Sequence, residues 1–337
     1  MASVTAATVG ITAEQVEEQV LQFYRSGGGL MGASATGSGG LSTSGRDTWL
    51  TTAQSSPSAW QFAFELVNLT KNPEVQFFGA NTIGMEWIYL HAILALIISV
   101  HIFSVIKVSR HFHEVPPSEF SSLKQRLLQL LSSYLEHRGP KIVLTRLCVA
   151  VAHLVIHGTS SRIWQNPVEE LINVFQAEME KRGVSILGLL LELLTIIPEE
   201  FATSVLATSK RALVRAEMTK SLPLVIDIIT KVFNEQGLPS DTRVQAMKGL
   251  QAWVQFEIPN EVTEELFSRL VAYLSDDELY DTSMDVMGSI VSHPNSHKFP
   301  MTMRRIMSRV VELDRVFYKL MSEENFDTAL PLASFFM

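Results

Sequence analysis

Cysteine is almost absent: the 337 residues contain one, Cys148. A single thiol permits no internal disulfide and no cysteine-based zinc site, and it points to a reducing compartment. Cys148 sits in the apolar run RLCVAVA, so it reads as a buried structural thiol rather than a nucleophile. Charge is sparse as well. Asp, Glu, Lys and Arg make up 18% of the chain, against roughly 25% in an ordinary soluble protein. Disorder throughout is excluded, because such chains are polar and highly charged. A basic excess is missing too: 27 Lys and Arg face 35 Asp and Glu, for a net charge of −8. That balance argues against direct binding of nucleic acid. The N-terminal MASVTAATVG has no basic stretch followed by a long apolar run, so no secretory signal is expected. No Ser-His-Asp set, paired-carboxylate motif or nucleotide fingerprint stands out. An enzyme is not expected, and neither are a cofactor, catalytic residues or a metal site.

What remains is apolar and helical. Apolar residues reach 47%. Thr12 and Gln15 form a capping box before a helix bearing Val16, Val20 and Phe23. Lys141 to His157 places Val143, Leu147, Ala150, Val151 and Leu154 on one face. Asn166 should cap a helix with Pro167 at its first position. Ser185 to Ile197 reads as a helix ended by Pro198, and Leu222 to Phe233 pairs with Asp241 to Phe256. Asn260 should cap a helix carrying Val262, Leu266, Leu270 and Leu274, which pairs with Leu279 to Val291. A last long helix shows Ile306, Val310, Leu313, Phe317 and Leu320. Turns are expected at Gly139, Gly158, Gly183 and Gly237 to Pro239. No set of alternating strands is convincing. The first helices of successive pairs start near residues 12, 58, 119, 167, 212, 260 and 299, mostly at a HEAT-like period of about 40–47.

Two segments break this pattern. Residues 26–45 are rich in Gly and Ser and read as a flexible loop, with no phosphate-binding ending. Trp87 to Ile106, WIYLHAILALIISVHIFSVI, holds no Asp, Glu, Lys or Arg and is long enough to span a bilayer. Trp87 and Tyr89 on one side and Lys107 and Arg110 on the other resemble interfacial anchors.

Several runs, in order, resemble the importin-beta superfamily of nuclear transport receptors. They are SAWQFAFELV at 58–67, PEVQFFGANT at 73–82, KVSRHFHEVP at 107–116, KIVLTRLCVAVA at 141–152 and LLELLTIIPEEF at 190–201. WVQFEIP at 253–259, DDELYDTSMD at 276–285 and ENFDTALPLAS at 324–334 add to them. The resemblance implies an all-α fold, a right-handed α-solenoid of HEAT-type helical pairs. It implies binding of Ran-GTP through inner-face helices, of phenylalanine-glycine nucleoporins and of protein cargo, in cytoplasm and nucleus. The expected organisation is a first pair over 1–57 with the loop 26–45, a second over 58–118 interrupted by an apolar insertion 83–106, and pairs three to seven over 119–337. The seventh pair is cut short, so an apolar face at that end is expected to need a partner. The competing reading is a membrane-anchored helical scaffold with a span near 87–106. It would leave the sequon at Asn68 in a lumen.

Asn81, Lys141 and Arg146 are the candidate Ran contacts that the resemblance implies. His153 and His157, one turn apart, and His111, His113 and Glu114 have metal-like spacing, but neither set has the remaining ligands. They read as packed or surface residues. Trp60, Trp164 and Trp253 read as core.

Overall fold

In the computed structural model the described residues are 11–25, 43–56, 58–84, 112, 115–182, 184–257, 263–294 and 296–335. Among them the regular structure is helical, with no strand. The chain divides into two compact units, Met1–Gly158 and Thr159–Met337.

The first unit opens with α1 (Ala13–Arg25), started by the expected capping box. The Thr12 amide donates to Gln15 Oε1 at 3.1 Å and the Gln15 amide to Thr12 Oγ1 at 3.4 Å. Val16 and Val20 are fully buried, so the i, i+4 stripe faces the core as its spacing requires. The next helix, α2, runs Thr43–Ser55. Residues 43–45, read from sequence as loop, are therefore its first turn; residues 26–42 lie outside the described set. Helices α3 (Ala59–Leu66) and α4 (Pro73–Gly84) pack on each other and on α1. Their approach is close: a Cβ on Gly79 would stand 2.9 Å from the Ala63 carbonyl oxygen and 2.8 Å from Leu66 Cβ.

Helix α5 (Phe120–Glu136) is joined to α3 and α4 by specific contacts. Tyr134 donates its hydroxyl to Gln76 Oε1 at 2.7 Å, and burial pushes the phenol well above its ordinary pKa. The helix closes in a Schellman turn: Gly139 N–H bonds Tyr134 O, Arg138 N–H bonds Leu135 O, and Arg138 holds φ 51°. Helix α6 follows (Lys141–Ser160), with Leu147 through Ile156 buried on all sides. It continues through Gly158, where the sequence suggested a turn. The burial of that run outweighs the roughly 1 kcal/mol helix penalty of one glycine.

In the second unit, α7 (Pro167–Arg182) packs against α8 (Val184–Thr203), and α9 (Thr208–Asn234) against α10 (Ser240–Val254). Likewise α11 (Thr263–Tyr273) packs against α12 (Tyr280–Val291). Then come α13 (Pro300–Glu312), α14 (Asp314–Ser322) and α15 (Phe326–Phe335). The second helices stack in series, α8 on α10, α10 on α12, and α12 on α15. This serial stacking of paired helices is a HEAT-type solenoid arrangement.

Four helix readings need correction. Helix α8 does not end at Pro198 but carries it to Thr203. Proline has no N–H for the carbonyl four residues earlier, Leu194. That oxygen instead accepts the Trp253 indole N–H at 2.6 Å, so a neighbouring helix supplies the missing donor. Helix α9 starts at Thr208 rather than Leu222 and passes through Pro223. Its early turns are anchored by the buried Val214 and Met218. Arg211 adds to this by donating to the Ser204 and Ala202 carbonyls at the end of α8. The last long helix is two, broken at Leu313, whose amide bonds Val310 O three residues back. Asn166 precedes Pro167 as expected, but at φ 50°, and its Oδ1 accepts from Lys220 Nζ at 2.6 Å. Asn260 lies outside the described residues.

Candidate functional site

Asn81, Lys141 and Arg146 all fall in the first unit. Asn81 lies one turn after Phe77 on α4, so the two share a face. Its Oδ1 is buried with no hydrogen-bond partner among the described residues. Arg146, half-buried on α6, holds its guanidinium carbon 5.8 Å from the centroid of the Phe77 ring. The ring face offers the guanidinium a cation–π contact. Lys141 is exposed at the first position of α6. Five residues at about 100° each place it roughly 140° around the helix from Arg146. Phe77 thus links the α4 and α6 candidates, while Lys141 points along a different face. Sequence reasoning passed over Phe77, because a ring at helical spacing carries no mark of the cation it will meet.

Each unit also holds a cleft of its own. In the first unit, Trp60, Phe64, Pro116, Glu119 and Arg126 line about 360 Å3, and the Arg126 guanidinium lies 3.9 Å over Phe64. Trp60 therefore borders a surface cleft, whereas Trp164 and Trp253 are buried. In the second unit, Met179, Leu190, Ile228 and Val232 form an apolar cleft of about 360 Å3, with Lys231 and Glu235 at its edge. It lies among α7, α8 and α9.

The histidine pair is a packing feature. His153 is buried, and its ring stacks with that of His157 at 6.3 Å; His157 in turn stacks on Phe112 at 5.4 Å. Among the described residues no three His, Cys, Asp or Glu are grouped to hold a metal. His111, His113 and Glu114 lie outside those residues, as does the apolar segment 87–106. One described helix, α6, is long and apolar enough to cross a membrane, yet 72% of its apolar window is buried inside the protein. Asn68 is exposed, and its Oδ1 accepts the Thr70 amide at 3.0 Å and the Thr70 hydroxyl at 2.9 Å. Cys148 is fully buried.

Serially stacked helical pairs define an all-α repeat protein of HEAT type. The comparisons narrow this. The family model described as Exportin 1-like protein matches residues 140–287. Importin-13 of Bos taurus is 33% identical over 268 residues, covering 79% of this chain and 25% of that protein. Importin-13 of Homo sapiens is 31% identical over 284 residues, 83% of this chain and 27% of that protein. Transportin MOS14 of Arabidopsis thaliana is 26% identical over 257 residues, 74% of this chain and 24% of that protein. The chain is importin-13-like, similar to nuclear transport receptors of the importin type. It spans about a quarter of the length of these relatives.

Proposed function

We propose that this chain is part of a nuclear transport receptor, a binding scaffold that engages Ran-GTP and carries protein cargo between cytoplasm and nucleus. The observation that carries the reading is the similarity to importin-13 proteins over four fifths of the chain. Arg146, over the Phe77 ring, and Asn81, one turn after Phe77 on α4, are the Ran contacts we assign to it, with Lys141 as a separate contact at the start of α6. A guanidinium held by a ring suits a carboxylate or phosphate partner, because its orientation is set before binding. The apolar cleft of Met179, Leu190, Ile228 and Val232 is the place we assign to phenylalanine side chains of pore-protein repeats.

The test is a pull-down of Ran loaded with a non-hydrolysable GTP analogue or with GDP. The expected result is retention of the GTP form and loss of about tenfold or more in affinity on Arg146→Glu. Equal binding of both nucleotide forms would refute the Ran assignment. Unchanged affinity of the Arg146→Glu protein would remove Arg146 from the contact.

A further inference from the structure

Three successive helix ends in the second unit meet a cation. They are the ends of α8, α10 and α12, which stack in series. Arg211, on α9, donates to the Ser204 and Ala202 carbonyls at the end of α8 at 3.0 and 3.3 Å. Its guanidinium carbon lies 4.8 Å from the centroid of the Phe201 ring. Arg215, one turn further along α9, donates to Gln255 O just past α10 at 3.3 Å. Its guanidinium carbon lies 5.6 Å from the centroid of the Phe256 ring. The two rings are 5.8 Å apart, centroid to centroid, so both arginines rest on one aromatic base. His293, just after α12, hydrogen-bonds the backbone at Val254 and Gln255, and the charges acting on it are Arg215 and Lys298. Lys298 is exposed in the short turn Ser296–Lys298.

Closing the helix ends does not exhaust these cations. A guanidinium has five N–H groups; Arg211 commits two of them to carbonyls and Arg215 one. Among the described residues, none of Arg211, Arg215, Lys298 and the exposed Lys210 forms an ion pair. The acid next to Phe256, Glu257, is exposed and pairs with none of them. A cationic edge of this kind stands out in a chain of net charge −8. Its charge and its length select the occupant. A guanidinium already held by a ring and by carbonyls presents its remaining N–H groups to a carboxylate in a set orientation. Packed helices lie about 8–10 Å apart, so the three ends span about 20 Å. An extended chain rises about 3.3 Å per residue, so about six or seven residues cover that span. A long polyanion such as nucleic acid would run past the edge onto a chain of net negative charge, whereas a short acidic segment stays within it.

We infer that the edge formed by Arg211, Arg215 and Lys298 is a docking surface for a short acidic segment of a partner protein, bound in extended form. It does not rest on the Ran assignment, whose residues lie in the first unit. The probe is fluorescein-labelled octaglutamate, titrated with the full chain and read by fluorescence anisotropy. Binding is expected below about 1 mM at about 0.05 M salt, and weaker by severalfold at about 0.3 M. Arg215→Glu should weaken it by about tenfold and Lys298→Glu by about threefold or more. Arg215 also holds the end of α10, so circular dichroism of that variant separates lost binding from unfolding. Lys298 is exposed, and its variant reads the surface alone. Lys319→Glu, on the exposed face of α14, changes the net charge equally and should leave the affinity as it is. Absence of octaglutamate binding up to about 1 mM would overturn the inference. So would an unchanged affinity in Lys298→Glu, or a loss in Lys319→Glu as large as that in Lys298→Glu. Single-stranded octathymidylate bound as tightly as octaglutamate would overturn the choice of an acidic protein segment.

Discussion

Replacing Trp253 with Phe tests how α8 carries a proline in its middle. The indole N–H donates to Leu194 O at 2.6 Å, the carbonyl that Pro198 cannot serve, and Trp253 is fully buried. Losing the donor forfeits a net bond of about 0.5–1.5 kcal/mol and leaves a buried carbonyl unsatisfied at about 1–3 kcal/mol. The smaller ring adds a cavity, so a total of roughly 2–4 kcal/mol is expected. The informative variant is Trp253→Phe with Pro198→Ala. The alanine amide can donate to Leu194 O along the helix, so the same carbonyl regains a partner. Removing proline also changes helix propensity and the freedom of the unfolded chain, but these effects are equal in both backgrounds and cancel in a double-mutant cycle. The coupling between the two positions should be about 1 kcal/mol in the restoring direction. Urea unfolding followed by circular dichroism gives the cycle. Hydrogen exchange at the backbone amide that Pro198→Ala introduces gives a local reading, and protection there should rise when Trp253 is also replaced by Phe. Additive effects, within about 0.3 kcal/mol, would refute the idea that Trp253 stands in for the missing helical bond.

Gly79→Ala should cost about 1–3 kcal/mol, because its new methyl meets the Ala63 carbonyl and Leu66 Cβ inside 3 Å; a thermal melt checks it, and an unchanged midpoint would mean that α3 and α4 can part freely. Arg138→Gly should stabilise by about 0.5–1 kcal/mol, since φ 51° at the α5 Schellman turn suits glycine better; a lower melting point would refute that. His293 has its pKa lowered below 6.5, first by burial and then by Arg215 and Lys298, against the opposing pull of the Val254 and Gln255 backbone. Its neutral form is favoured in the folded state, so its stability is present above pH 6.5 and is lost as pH falls toward the folded pKa. The acid Glu199, raised above 4.5 by burial and Glu200 against the opposing pull of Lys248, acts in the opposite sense, losing its contribution as pH rises through its folded pKa. The difference between wild type and His293→Gln isolates the histidine: the wild type should lose more stability from pH 7 to pH 5.5. Parallel curves would refute the assignment.

Much of the fold was legible because helices write their burial into spacing. Val16 and Val20, Leu266 and Leu270, and Ile306 and Val310 were readable as core from position alone, and each is buried. The capping box at Thr12 and Gln15 was equally local, since both partners lie within one turn. Prolines misled because their effect depends on what stands opposite. Pro198 would end a helix in isolation, but Trp253, 55 residues later, supplies the donor that lets α8 continue. The candidate site was legible in part. Arg146 could be nominated, but the Phe77 ring beneath it joins α4 to α6 across residues far apart in sequence.

The sequence by itself determined the helical class, the phase of stripes such as Val16 and Val20, and the likeness to importin-type receptors, because these depend on local periodicity and on ordered runs of side chains. Tertiary structure decided where helices stop, which carbonyl meets Trp253, and which ring holds Arg146. It also decided that the stripe from Met307 to Met321 stays in water while its neighbour from Ile306 to Leu320 turns inward. The two stripes are similarly apolar in spacing. Only the packing of α13 on α11 and α14 on α15 tells them apart, because burial is set by what an element meets and not by its own sequence.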